Sequence, residues 1–174
     1  MGDGGSDRDA EFSDFVVAAH SSLLRTARLL TGDPHTAEDL VQAALVRVYL
    51  RWSRSASWAS PQAYARKAVV HLYATWRRRR WHTEVIRTER GSTPDTHDMA
   101  GSAEARLELS RALAALPRAQ RAVVVLRFYE DLSVEETADL LGCSPGTVKS
   151  RTNRALERLR AGGALAGYAG RGTR

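Results

Sequence analysis

The sequence predicts an all-α protein of two small helical domains joined by a flexible linker, the second containing a helix-turn-helix. Three observations carry this. Apolar residues recur at three- and four-residue spacing along nearly the whole chain, with no alternating strand pattern and no internal repeat. Residues Thr88 to Gly101 interrupt that spacing with Gly, Ser, Thr, Pro, Asp and His, a composition with little to bury and typical of a linker. Near the C-terminus a capping-box sequence, a glycine turn and a Ser-Pro helix start follow one another closely. The expected division is a disordered N-terminus over 1–10, a first domain over 11–87, a linker over 88–101, a second domain over 102–160 and a Gly-rich flexible tail over 161–174.

In the first domain, Phe12, Phe15, Val16, Ala19 and Leu23 form one stripe of an amphipathic helix. Thr31-Gly32-Asp33-Pro34 stops it and starts the next. Gly32 suits the left-handed position after a helix, Asp33 an N-cap and Pro34 the first turn. The second helix carries Ala37, Leu40, Val41, Ala44, Leu45 and Val48 on one face. Residues Ser53 to Ser60 read as a loop, and Ser60-Pro61 repeats the start signal. A third helix then runs to about Arg80, with Ala65, Ala68, Val69, Leu72 and Trp76 as its buried stripe.

In the second domain, Leu109, Ala112, Leu113 and Leu116 make a stripe that ends at Pro117, read as the first residue of the following helix. That helix presents Ala122, Val125, Leu126 and Tyr129. Ser133-Val134-Glu135-Glu136 has the S-x-x-E form of a capping box. Val134, Thr137, Ala138 and Leu141 form the inner face of the helix it opens. Gly142-Cys143-Ser144 is a turn, and Ser144-Pro145 opens a last helix to about Arg160.

Composition narrows the function. The chain has 174 residues, 43% of them hydrophobic, and a formal net charge of +6. A basic chain of this size suits a polyanionic partner, of which nucleic acid is the commonest. The single cysteine, Cys143, allows no intramolecular disulfide and fits a reducing compartment. No apolar run reaches the ~20 residues of a membrane span, and the Gly- and Asp-rich N-terminus lacks the apolar core of a secretory signal. The expected location is the cytoplasm. Neither a P-loop nor a nucleophile motif is present, and His20, His35, His71, His82 and His97 have no metal-ligand spacing with each other or with Cys143. The chain is therefore expected to be no enzyme, with no catalytic residue, no metal and no cofactor.

A short helix, a turn containing Gly and a longer helix are the parts of a helix-turn-helix. At ~100° per residue, Val148, Thr152, Ala155 and Leu159 gather on the packed side of the last helix. Gly146, Lys149, Ser150, Asn153 and Arg154 gather on the other, with Arg151 and Arg158 at the edge. A helix seated in the major groove needs small residues for close approach, cationic and amide side chains for base edges and flanking arginines for phosphates. Lys149, Ser150, Arg151, Asn153 and Arg154 are the expected duplex contacts, Arg151 on the phosphate edge. The competing reading, a solvated basic face on an ordinary bundle, is weakened by the capping box, turn and Ser-Pro start occurring together.

The third helix mixes cations with aromatics. Arg77 to Arg80 lie between Trp76 and Trp81, with Arg66, Lys67, His71 and Tyr73 before them. Unpaired bases need cations for phosphates and flat side chains for stacking. A solvated helix end favoured by the helix dipole would look similar. Four contiguous arginines wrap the helix, so not all can meet one strand.

These residues are familiar. Leu116-Pro117-Arg118-Ala119-Gln120-Arg121 through Tyr129-Glu130-Asp131-Leu132-Ser133 resembles the start of region 4, the promoter-recognition domain of extracytoplasmic-function (group 4) sigma factors of the sigma-70 family. Gly142-Cys143-Ser144-Pro145-Gly146-Thr147-Val148-Lys149-Ser150-Arg151 resembles that domain's turn and recognition helix. Ala37-Glu38-Asp39-Leu40-Val41-Gln42 resembles the core-binding motif of region 2. The resemblance covers about 12–160; both motifs, in this order and separation, are specific. The tetra-arginine and its tryptophans look most like actinobacterial members.

The resemblance implies a first domain that binds the clamp helices of the polymerase β′ subunit through Asp39 and Gln42 and opens the −10 element through His71, Arg77, Arg78 and Arg80. It implies a second domain that sits on the β flap and reads the −35 element. Core RNA polymerase and promoter DNA are then the partners, and an anti-sigma factor is a further partner the resemblance allows. Many relatives carry Asn where His71 stands, which leaves the −10 preference open. The rival function is a helix-turn-helix transcriptional regulator that is no polymerase subunit. It accounts for 102–160 equally well and leaves the basic, aromatic helix of the first domain unexplained.

Overall fold

The computed structural model of the chain describes residues 3–81 and 103–162, all without a β-strand. Its elements are α1 (Asp3–Thr31), α2 (Pro34–Tyr49), a 3-10 turn (Trp52–Ser57), α3 (Pro61–Trp81), α4 (Ala103–Ala115), α5 (Arg118–Val124) running into a π-helical turn (Val125–Tyr129), α6 (Val134–Leu141) and α7 (Pro145–Ala161). The expected linker, 88–101, and the tail beyond 162 lie outside the described residues.

The helix boundaries follow from local chemistry. Gly32 takes φ +69° and so ends α1 without strain. One residue on, the Asp33 carboxylate accepts from the Thr36 N–H at 2.7 Å, and Pro34 fills the first turn of α2. The Ser60 hydroxyl accepts from the Ala63 N–H at 3.2 Å to begin α3. Each cap satisfies a donor that the helix itself leaves orphaned.

Two expectations are corrected here. Residues 1–10 are not disordered from Asp3 onward, because α1 extends through them. Arg8 donates to the Tyr49 carbonyl at 2.9 Å and the Tyr49 hydroxyl to Asp9 at 2.8 Å, so the first turns rest on the end of α2. Pro117 sits at the N-cap of α5 rather than at its first residue, with an extended ψ of 137°. The Ser53–Ser60 loop also contains part of the 3-10 turn. Trp52 is buried there and packs on Phe12 and Phe15.

Helices α1, α2 and α3 close the first core on Leu23, Leu30, Leu40, Val41, Val48 and Val69, all fully buried. Each such side chain contributes about 1.5–3 kcal/mol on leaving water. In the second half Ala122, Val125, Leu126, Val148, Ala155 and Leu159 are buried, and α5 packs on α7. The halves do not stand apart. Helix α5 packs on α1, and α6 packs on α3.

Candidate nucleic-acid interface

Helices α6 and α7 are built to hold one face of α7 outward. The Ser133 hydroxyl accepts from the Glu136 N–H at 3.0 Å, and the Glu136 carboxylate accepts from the Ser133 N–H at 2.7 Å. This reciprocal pair also draws the Glu136 pKa below its ordinary value, because the carboxylate takes hydrogen bonds from Ser133. Gly142 closes α6 at φ +63°, where a side chain would be strained. Ser144 then caps α7 through the Thr147 N–H at 3.2 Å, with Pro145 behind it. Thr137, Ala138 and Leu141 of α6 and Val148 of α7 are buried in the angle between the helices.

That packing fixes the rotation of α7. With Val148, Ala155 and Leu159 buried, Gly146, Lys149, Ser150, Asn153 and Arg154 are exposed on the other side. Arg151 is half-buried at the edge. The exposed set is cationic, carries an amide and a hydroxyl, and begins with a glycine that adds no bulk.

The end of α3 is arranged differently. His71 and Arg78 are exposed, but Arg77 is half-buried. Burial pushes the Arg77 pKa down; Tyr73 favours its charge, and Arg151 of α7 opposes it. A Cβ added at Gly142 would meet the aliphatic stem of Arg78 at 3.2 Å, so the helix-turn-helix lies directly on this arginine run. The Arg80 side chain lies outside the described residues. Asp39 and Gln42, one turn apart on α2, are both exposed.

Two family models match the chain: sigma-70 region 2 over residues 15–83, and sigma-70 region 4 over 106–159. The chain belongs to the sigma-70 family. Its relatives include the RNA polymerase sigma-E factor of Streptomyces avermitilis, 43% identical over 150 residues that cover 86% of this chain and 83% of that one. The ECF RNA polymerase sigma factor SigL of Mycobacterium tuberculosis is 36% identical, covering 81% of this chain and 82% of its own. Among solved structures, the sigma factor RpoE of Bartonella quintana, in complex with the anti-sigma factor NepR, matches with a TM-score of 0.57 at 25% identity, over 87% of this chain and 96% of that one. This is an RNA polymerase sigma factor of the extracytoplasmic-function kind.

The sigma factor carries surface features that sequence periodicity missed. Val46 and Leu50 are 58% and 71% exposed and continue the face of α2 on which Asp39 and Gln42 stand. Trp58 stacks on Tyr64 with ring centroids 4.0 Å apart, and Arg51 donates to the Tyr64 hydroxyl at 2.8 Å. Tyr64 shares a face of α3 with exposed Lys67, His71 and Arg78 at helical spacing. The aromatic pair could have been sought beside the Ser-Pro start, where a loop brings Trp58 back over the helix. Among the described residues no group of His, Cys, Asp and Glu could hold a metal ion, and no helix is long and apolar enough to cross a membrane.

Proposed function

We propose that this sigma factor reads a duplex −35 element with the exposed face of α7, holds opened −10 DNA along α3 and grips core RNA polymerase with α2. The observation that carries the reading is the capped, outward face of α7. Lys149, Ser150, Asn153 and Arg154 present donors and acceptors suited to base edges, and Arg151 borders the phosphates. On α3, His71, Arg77, Arg78 and Arg80 supply the cations for the −10 strand, and the Trp58–Tyr64 stack offers the flat surface that unpaired bases need. On α2, the polar pair Asp39 and Gln42 with exposed Val46 and Leu50 has the mixed character of a protein-docking surface.

The division follows the two expected domains, 11–87 and 102–160, with the chain between them as tether. The protein is an initiation factor with no active site of its own, because polymerisation belongs to the core subunits, and it works in the cytoplasm. Its partners are core RNA polymerase and promoter DNA, with an anti-sigma factor as a regulator. The RpoE neighbour, solved with NepR, supports the last of these by analogy. The match of region 2 over residues 15–83 weighs against a regulator that acts outside the polymerase.

The test is run-off transcription with purified core polymerase and mapping of the start sites. Specific initiation dependent on the added chain is expected. Asp39→Ala should weaken holoenzyme formation in a competition assay without loss of helicity, and native-strength competition would remove Asp39 from the interface.

A further inference from the structure

The sigma-70 region 2 match begins at residue 15, yet α1 begins at Asp3. The turns before the match are tied to the end of α2. Arg8 donates to the Tyr49 carbonyl at 2.9 Å and lies over the Tyr49 ring, 5.1 Å from its centroid. The Tyr49 hydroxyl donates to Asp9 at 2.8 Å. Phe12, about one turn on, sits between two rings. Its centroid is 5.0 Å from that of Tyr49 and 5.2 Å from that of Trp52, the second pair crossing at 74°. Tyr49 ends α2 and Trp52 opens the 3-10 turn, so Phe12 grips the corner at which the chain leaves α2.

The row of rings continues to the surface of α3. Trp52, buried, meets Trp58 at 6.0 Å and 83°, and Trp58 stacks on Tyr64 at 4.0 Å and 18°. Crossed and stacked rings of this kind hold one another beyond the effect of their buried area. Trp58 depends on that row. It follows the 3-10 turn and precedes α3, so no helix of its own orients its ring. Tyr64 face to face and Trp52 at right angles orient it instead. Trp52 in turn packs on Phe15, inside the region 2 match, and on Phe12, outside it. An unpaired base binds a platform more tightly when the platform is already ordered, because less entropy is lost on stacking.

We propose that the first turns of α1 are a positioning element for promoter opening: Phe12, seated between Tyr49 and Trp52 while Arg8 and Asp9 hold Tyr49, fixes Trp58 against Tyr64 and so sets the surface on which an unpaired −10 base stacks. The proposal rests on the reading of the Trp58–Tyr64 stack as the −10 platform. Phe12, Tyr49 and Asp9 are positioning residues that act through other rings. The exposed carboxylates around them, Asp7, Glu11 and Asp14, repel a phosphate backbone and keep this segment itself off the DNA.

The experiment uses holoenzyme assembled from the full chain and core polymerase, on a promoter located by start-site mapping. Three quantities are read: core affinity by competition, binding to a duplex −35 fragment, and permanganate reactivity of unpaired thymines in the −10 region. Phe12→Leu keeps an apolar side chain and removes the ring. Opening should fall roughly two- to tenfold, the range of one aromatic pair, with the other two readings unchanged. Asp9→Ala and Tyr49→Phe each remove the hydroxyl link and should lower opening to a smaller extent, whereas Asp9→Asn keeps an acceptor and should restore it. These variants decide the matter if Phe12→Leu loses helicity. Unchanged opening, or a fall shared equally by all three readings, overturns the positioning role. The platform reading fails separately. Normal opening by Trp58→Ala would remove the platform and the positioning role with it; a defective Trp58→Ala beside a normal Phe12→Leu would remove the positioning role alone.

Discussion

Arg154 of α7 and Arg77 of α3 are both helical arginines with other cations close by in sequence, and each follows a stripe of buried apolar residues. Arg154 stands exposed on a face that the packing of Val148, Ala155 and Leu159 turns outward. Arg77 is half-buried beneath the helix-turn-helix, beside Tyr73 and near Arg151. Each helix fixes the direction of its own side chains through its caps and its apolar stripe. Whether another element then covers that face depends on distant residues. For Arg77 the covering element is the helix-turn-helix, whose Arg151 is far from it in sequence.

The strongest way to break the comparison is to remove the platform beneath α7. Leu159 is the buried anchor of α7 itself, and Leu159→Ala should lower unfolding stability in urea by about 2–5 kcal/mol. If α7 owes its orientation to this core, −35 binding should fall with it, although no residue of the outward face has changed. A smaller change tests the face directly. Arg154→Ala should cost the holoenzyme about 1–3 kcal/mol of affinity for a duplex −35 fragment and relax its sequence preference. If Arg77 serves −10 DNA as proposed, Arg77→Ala should move the same affinity by less than about 0.5 kcal/mol. Equal losses from the two variants would erase the distinction.

The contrast also shows what was legible in the sequence. The caps at Asp33, Ser133 and Ser144 and the left-handed glycines at 32 and 142 could be read directly, because each depends on neighbours within a few residues. The outward face of α7 followed from helical periodicity. What escaped depends on non-local packing. Nothing within ten residues of Arg121 announces that its guanidinium reaches the end of α1. The π-helical turn at Val125–Tyr129 escaped too. There the Glu130 N–H reaches the Val125 carbonyl at 3.0 Å and Arg127 donates to the Leu132 carbonyl, geometry that the spacing of Ala122, Val125, Leu126 and Tyr129 does not distinguish from an α-helix.

The caps themselves predict a further step down in effect. Ser144→Ala removes the acceptor for the Thr147 N–H and should destabilise the fold by about 0.5–2 kcal/mol, measured as a lower urea midpoint at unchanged slope. An unchanged midpoint would remove this cap from the stability of α7.

The smallest effect expected comes from a buried charge. Burial pushes the Glu130 carboxyl above its ordinary pKa; the Thr26 hydroxyl hydrogen bond and the Arg66 guanidinium pull the other way without cancelling the shift. A carboxyl raised on folding binds its proton more tightly in the folded state than in the unfolded one. Its contribution to stability is therefore fully present below the ordinary glutamate value and lost as pH rises through the raised one. Glu130→Gln keeps an acceptor for Thr26 and removes the charge, so it should raise the urea midpoint slightly at neutral pH. The difference from the unaltered chain should shrink as the pH is lowered toward the acid range. A lowered midpoint at neutral pH would show instead that the carboxylate charge, through Arg66, stabilises the packing.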